Sequence, residues 1–221
     1  MSGKVIVTIS RKMGSGGSYV GKMVADRLAI RYVDREILRR LSAYLQEDEK
    51  ILSGREERIS GFWERVLQSF SYGVPETGYV PPPLRPIPDE DFFSAEAKII
   101  RELAENGSAV IVGRAGFHIL KGKPGLVKVL LHAPRESRIE RVMKTYNIPD
   151  YDSARELVDE SDRQRSRFLK VMTDHDWMDA SCYHLCIDTE AVGFKGTMDM
   201  IISVAEKVRG ASSAKNKKAE H

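Results

Sequence analysis

The sequence predicts an α/β protein: a doubly wound parallel sheet between layers of helices. Three observations predict it. A β-branched run, Lys4–Ser10, leads into a Gly-rich turn and then a helical pattern. Two later runs, Ala109–Val112 and Leu126–His132, are almost wholly apolar, as strands buried on both faces are. Short strands alternate with helical stretches along the chain, the order of βαβ units.

The elements follow in order. A helix begins at about Ser18, with Val20, Met23, Val24 and Leu28 at helical spacing. Arg31–Asp34 reads as a second short strand and Arg35–Leu45 as a helix. Residues 46–92 change character. Charged residues give way to the aromatics Phe62, Trp63, Phe70 and Tyr72, then to the Pro-rich run Val80–Pro88. Such a run cannot be a central strand or a helix interior, so the segment reads as an insertion. Ser94–Glu105 is an amphipathic helix with Ser94 as a candidate N-cap. Arg135–Tyr146 and the strongly charged Ser153–Met172 are helical. Tyr183–Asp188 is the fifth strand, followed by a helix near Thr197–Arg209. Residues 211–221 are small, polar and basic and are expected to be disordered. The expectation is one domain over 1–210 built on a five-stranded parallel core sheet.

Composition sets limits. The 221 residues, 42% hydrophobic and 30% charged, suit a globular domain with a real core. A formal charge of +3 is too small to argue for nucleic acid. The basic residues gather locally, at Arg35–Arg40, Arg163–Lys170 and Lys215–Lys218, which suits a small polyanionic ligand. Cys182 and Cys186 make no disulfide framework, so a reducing cytoplasm is the expected compartment. Together with His184 they alternate and would share one face of a strand. A face of small buried thiols is the preferred reading, since a fourth metal ligand is not evident. The N-terminal segment reads as a strand and not as a signal peptide. No apolar run approaches the ~20 residues of a membrane span, so no membrane partner is expected. The oligomeric state is not legible.

Ligands of such sheets bind beyond the carboxyl ends of the strands, and the motifs lie there. The first is Arg11-Lys12-Met13-Gly14-Ser15-Gly16-Gly17-Ser18-Tyr19. Phosphate needs several backbone N–H groups converging on one point, and a Gly-rich turn at a helix start supplies them. The second is Tyr32-Val33-Asp34-Arg35-Glu36 with Arg40, suited to a ribose or base and a phosphate. Alone it reads equally as an Asp N-cap before a solvated helix face. The third is Val110-Ile111-Val112-Gly113-Arg114. An Arg at the end of a buried strand faces a cleft, or else pairs with an acid or caps a helix. The fourth is Asp162-Arg163-Gln164-Arg165-Ser166-Arg167. Arg163 and Arg167 share a helix face and their guanidinium forks suit phosphates, although most such runs are solvated charged surfaces.

These motifs in this order resemble the cytidylate kinase family and its cytidylate-kinase-like relatives. The resemblance covers roughly Val5 to Val208 and is carried mainly by ISRKMGSGGSYVGK and VIVGRAG. It implies a P-loop NTPase fold of three α/β/α layers. It also implies transfer of the terminal phosphoryl group of ATP, with Mg2+, onto a nucleoside monophosphate such as CMP or dCMP. Under it Gly14, Ser15, Gly16, Gly17, Ser18 and Tyr19 cradle the donor phosphates, with Ser18 on the metal. Asp34, Arg40 and Arg114 line the acceptor site. Arg163, Arg165 and Arg167 close over the transferring group from a lid at about 147–174. The insertion at about 46–92 would be the acceptor-binding subdomain.

Several positions depart from the family pattern. On the pattern G-x-x-x-x-G-K-[ST], Arg11 falls on the first Gly and Gly17 on the Lys, while Ser18 keeps the hydroxyl. Val112 stands where an Asp commonly precedes the Gly-Arg pair. Arg35, Glu160 and Gln164 replace residues that grip the nucleoside. Lys22 lies a full turn beyond Ser18, too far to replace the lysine. Arg11 is the expected substitute, because its fork holds two oxygens and stays charged. Two other readings remain: a kinase of this fold for another small molecule, and a nucleotide-binding regulatory protein with impaired catalysis.

Overall fold

The computed structural model describes residues 3–34 and 90–219. The helix expected at Arg35–Leu45, Arg40, and the insertion as far as residue 89 lie outside the described residues.

Five strands form one sheet: β1 (Ile6–Arg11), β2 (Arg31–Val33), β3 (Ala109–Val112), β4 (Leu126–His132) and β5 (Leu185–Asp188). Every pairing is parallel and the order is β2-β3-β1-β4-β5. Register brings Ile9 beside Val112 on one side and Val129 on the other, so β1 is central.

The alternation of side chains explains the layers. Val7, Ile9, Val110, Val112, Val127, Val129 and Leu131 pack on one face against α1 (Gly17–Leu28) and the last helix, α6 (Thr189–Ala219). Ile6, Ala109, Ile111 and Leu126 pack on the other against Ile99, Ile100 and Leu103 of α2 (Glu90–Glu105). Each fully buried Val, Ile or Leu contributes about 1.5–3 kcal/mol. The fold is therefore the expected three-layer α/β/α sandwich. After β3 the short α3 (Gly116–Ile119) takes the α2 face, whereas α1 leaves β1 on the opposite face. Neighbouring strands that send their helices to opposite faces open a crevice at their carboxyl ends. Here it lies between the loop after Arg11 and the loop after Val112.

A helical hairpin, α4 (Arg135–Tyr146) and α5 (Tyr151–Thr173), stands beside that crevice. Ile139, Val142, Ala154 and Val158 bury the hairpin's inner face around Met13. Asp150 caps α5 by accepting from the Ser153 N–H at 2.7 Å. Asn147 and Asp174 end α4 and α5 in left-handed backbone (φ 53 and 54). Among the described residues no helix is long and apolar enough to cross a membrane.

Four local expectations are corrected. Ser94 is not an N-cap: α2 already begins at Glu90. The last strand starts at Leu185, because Asp179 winds Ala180–Cys182 into a 3-10 turn. Its carboxylate accepts from the Ser181 N–H at 2.9 Å, and its carbonyl from the Cys182 N–H at 3.0 Å. Cys182 and Cys186 therefore do not share a strand face, and they are not buried: Cys186 is exposed and Cys182 partly so. The final helix starts at Thr189, earlier than expected, with a non-helical break at Gly193, and runs to Ala219 where a disordered tail was expected.

Candidate functional site

The loop from Lys12 to Gly16 is shaped by its own short contacts. Lys12 extends the strand by donating its N–H to the Leu131 carbonyl at 3.0 Å. Ser15, fully buried, donates its hydroxyl to the Lys12 carbonyl at 2.8 Å, and its N–H to the same oxygen at 3.2 Å. Its side chain thus braces the turn from inside. Gly16 enters the helix in left-handed backbone (φ 74), and a Cβ there would collide with the ring of Phe194. The N–H groups of Gly16, Gly17, Ser18 and Tyr19 make no hydrogen bond to described residues. They are the unsatisfied donors of a helix start, the ordinary cradle for an anion. Ser18 is half-buried at this mouth. Tyr19 is exposed, with its ring 5.3 Å from that of Phe194.

Arg11, the last residue of β1, lies across this loop. A Cβ on Gly17 would run into the Arg11 Cβ and Cγ, and a Cβ on Gly113 would run into its Nη1. The side chain therefore passes over Gly17 and brings its guanidinium against the backbone that ends β3. It spans the two sides of the crevice. Lys22 points elsewhere, in an exposed pair with Asp26.

The β3 side is conformationally unusual. Gly113, Arg114 and Ala115 are consecutive left-handed residues (φ 84, 55 and 55). Left-handed non-Gly residues cost of order 1 kcal/mol or more each and cluster where a side chain must be aimed. Arg114 donates to Glu96 of α2 through Nε at 2.7 Å and also through Nη2. Its guanidinium stands 4.5 Å from the ring centroid of Phe168 on α5. The Glu96 side chain is 1% exposed and that of Arg114 11%. The alternative that Arg114 pairs with an acid is thus realised, at the rim of the expected cleft. Asp34 follows β2 and is half-buried.

The arginine-rich helix divides its residues between two sides. Arg165 reaches the loop: Nη2 is 3.8 Å from the Met13 sulfur and Nη1 is 3.6 Å from Asp162. Arg163 and Arg167 are exposed. Arg163 pairs with Glu160 at 2.7 Å. It lines an open hollow of about 530 Å³ with Arg135, Arg155, Glu156, Asp159 and Glu160. The Arg135 guanidinium holds the Asp159 carboxyl below its ordinary value, and Gln164 then Arg163 do the same for Glu160. The structure thus sets Arg11 over the Gly17 end of the loop and Arg165 against Met13 at the loop's start. It sets neither Arg163 nor Arg167 against the loop: both are exposed.

Sequence reasoning missed four contributors. Arg138, buried on α4, donates to the Met13 carbonyl at 3.0 Å. Asp162 accepts from the Met13 N–H at 2.9 Å. Thr189, the first residue of α6, donates to the Ser15 carbonyl at 3.0 Å. Arg141 places its guanidinium 5.0 Å from the Phe194 ring centroid and donates to Thr189 Oγ1 at 3.2 Å. The acid within the DRQRSR run was the one available signal. Among the described residues no group of three or more His, Cys, Asp or Glu side chains could hold a metal.

Comparison with known proteins bears on the family and the fold. A cytidylate kinase from Methanocaldococcus jannaschii is 24% identical over 213 residues, covering 93% of this chain and 99% of that protein. An uncharacterized protein from Eubacterium ventriosum, 22% identical, superimposes with a TM-score of 0.69 over 92% of this chain and 99% of its own. A gluconokinase from Sinorhizobium meliloti, 16% identical, gives 0.52 over 96% and 99% and shares the fold. The sequence profile of the cytidylate kinase-like family matches residues 6–191. This chain therefore belongs to the cytidylate kinase-like family and is a nucleotide kinase on a P-loop kinase fold.

Proposed function

We propose that the chain transfers the terminal phosphoryl group of ATP, with Mg2+, to a nucleoside monophosphate, with CMP or dCMP the first acceptors to try. One observation supports it above the rest. The Arg11 side chain crosses Gly17 and reaches Gly113, so a permanent cation stands between the donor loop and the Gly113–Arg114 loop.

The residues present fit the two ligands. The amides of Gly16 to Tyr19 suit the donor phosphates, Gly14 and Ser15 shape the turn beneath them, and the Ser18 hydroxyl at the same mouth suits Mg2+. That ion takes few protein ligands and completes its shell with water and phosphate. When bound it supplies positive charge against the phosphate oxygens. Arg11 does the work that a lysine at position 17 would do, holding the terminal phosphate by two N–H groups. Arg165 approaches the same group from the lid, which spans 147–174, and Arg163 and Arg167 join only if the lid turns. Arg114, aimed by Glu96, faces the acceptor's phosphate, with Asp34 and Arg40 on the acceptor side. Catalysis is positioning plus charge neutralisation.

The test is ADP release by the full chain over a panel of nucleoside monophosphates. Turnover that needs CMP or dCMP supports the proposal. Turnover with a different monophosphate corrects the acceptor, and ATP binding without turnover on any acceptor favours a regulatory protein.

A further inference from the structure

Asp162 lies on the lid helix, yet its carboxylate is directed at the phosphate loop 149 residues away. Oδ1 accepts from the Met13 N–H at 2.9 Å, and Oδ2 accepts from Arg138 Nη1 at 2.7 Å. Arg138 Nη1 also donates to the Met13 carbonyl at 3.0 Å, and its Nε donates to the Ala133 carbonyl at 3.1 Å. Both backbone groups of Met13 are thereby held, one by each member of the pair. The side chains of Arg138 and Asp162 are 5% and 16% exposed, so this is an enclosed pair. Arg165 follows three residues later on the same helix face, against Asp162 Oδ1 and the Met13 sulfur. Two other pairs along α5 are different in kind. Arg155–Asp152 and Arg163–Glu160 are exposed, local, and of the class that contributes little.

We propose that Asp162 is a positioning residue: it fastens the lid helix to the start of the phosphate loop and holds Arg165 there, making Arg165 the lid arginine presented to the donor phosphates. The proposal rests on the kinase reading above. It follows that α5 cannot swing away as a rigid arm without breaking the Met13 N–H contact. The lid pivots at Asp162, and its movement is transmitted to the loop. The purely structural alternative is that Asp162 only neutralises the buried Arg138.

A double-mutant cycle on the full chain separates the two. The quantity measured is the dissociation constant for ATP with Mg2+, by calorimetry, for wild type, Asp162→Asn, Arg165→Ala and the pair. Each single change should weaken ATP binding by about 10-fold, the size of a lost charge-assisted contact, and the pair should be no weaker than the worse single variant. Losses that multiply in the pair would show that Asp162 does not act through Arg165, and would overturn the proposal. Where Asp162→Asn does not fold, Asp162→Glu keeps the charge beside Arg138, displaces it by one methylene, and is read by the same cycle. A wild-type chain that binds no ATP would sink the kinase reading and the proposal together. That result is distinct from multiplied losses in a chain that binds it.

Discussion

Arg114 and Glu96 form an ion pair almost closed to solvent, and its two halves come from elements distant in the chain. Glu96 sits on α2, the helix that follows the residues assigned to the insertion, and Arg114 on the loop after β3. A lone buried carboxylate is far more costly than a paired one. Arg114→Ala should therefore lower unfolding free energy by about 3 kcal/mol and cripple acceptor use. Arg114→Ala with Glu96→Leu should recover most of the stability and none of the acceptor turnover. Urea melts together with acceptor KM measure both. Full stability in the single variant would mean that Glu96 has another counter-charge.

Arg11 carries a second expectation. Arg11→Ala should lower kcat by on the order of 100-fold, as loss of a transition-state cation does, with little change in Tm. Arg11→Lys should recover part. Gly17→Lys alone should fail, because the new side chain collides with the Arg11 Cβ and Cγ, and Arg11→Gly with Gly17→Lys, which removes both atoms, should exceed either single variant. A fall in Tm with normal turnover in the surviving protein would instead assign Arg11 to ordering the loop.

The lid should respond to ligands unevenly. Hydrogen exchange over 147–174 should slow when ATP and acceptor are both present, since phosphates offset the arginine charges. The turn around Asp162 should already be protected without ligand, because it is tied to Met13. Uniform exchange along α5, unchanged by ligand, would contradict the lid assignment.

His118 makes the fold sensitive to mild acid. Burial first, then the charges of His175 and Lys121, hold its pKa below the ordinary 6.5. The His175 ring stands 5.2 Å away, and His184 is lowered separately by burial and Lys128. The unfolded chain therefore takes up the proton first, so stability is present above about pH 6.5 and declines as pH falls below it. Between pH 7.5 and 5.5 the Tm of His118→Gln should fall less than that of wild type, by about 1–3 °C. Equal slopes would remove His118 from the acid response.

The sheet was legible because burial on both faces leaves a plain mark in sequence. The bounds of β3 and β4 coincide with the apolar runs Ala109–Val112 and Leu126–His132. Polar edges were less legible: the capping of Ala180–Cys182 by Asp179 shortened β5, which no periodicity announces. The Gly-rich loop was visible from its position, and the place of Arg11 over it from a missing lysine. Arg138 and Thr189 were not visible, and of Asp162 only its place in the DRQRSR run was. Each works by bonding a backbone group more than a hundred residues away, and such a contact imposes no spacing on the sequence around it. Arg163 and Arg167 were placed by residue type, yet residues two apart on a helix face opposite ways, so a run holding Arg165 on one side turns them outward.

The crossing of Gly17 by Arg11 also constrains history. Under the role proposed for Arg11, a lysine-bearing loop and this one cannot be exchanged one letter at a time without loss. If the arginine arrives first, it meets the lysine side chain in the same space. If the glycine arrives first, the loop has no cation above it. Any lineage joining the two forms crossed an unfavourable intermediate or changed both positions together. A search that demands the lysine passes over such chains, whereas one that asks for Arg six residues before a Gly-Ser helix start finds them.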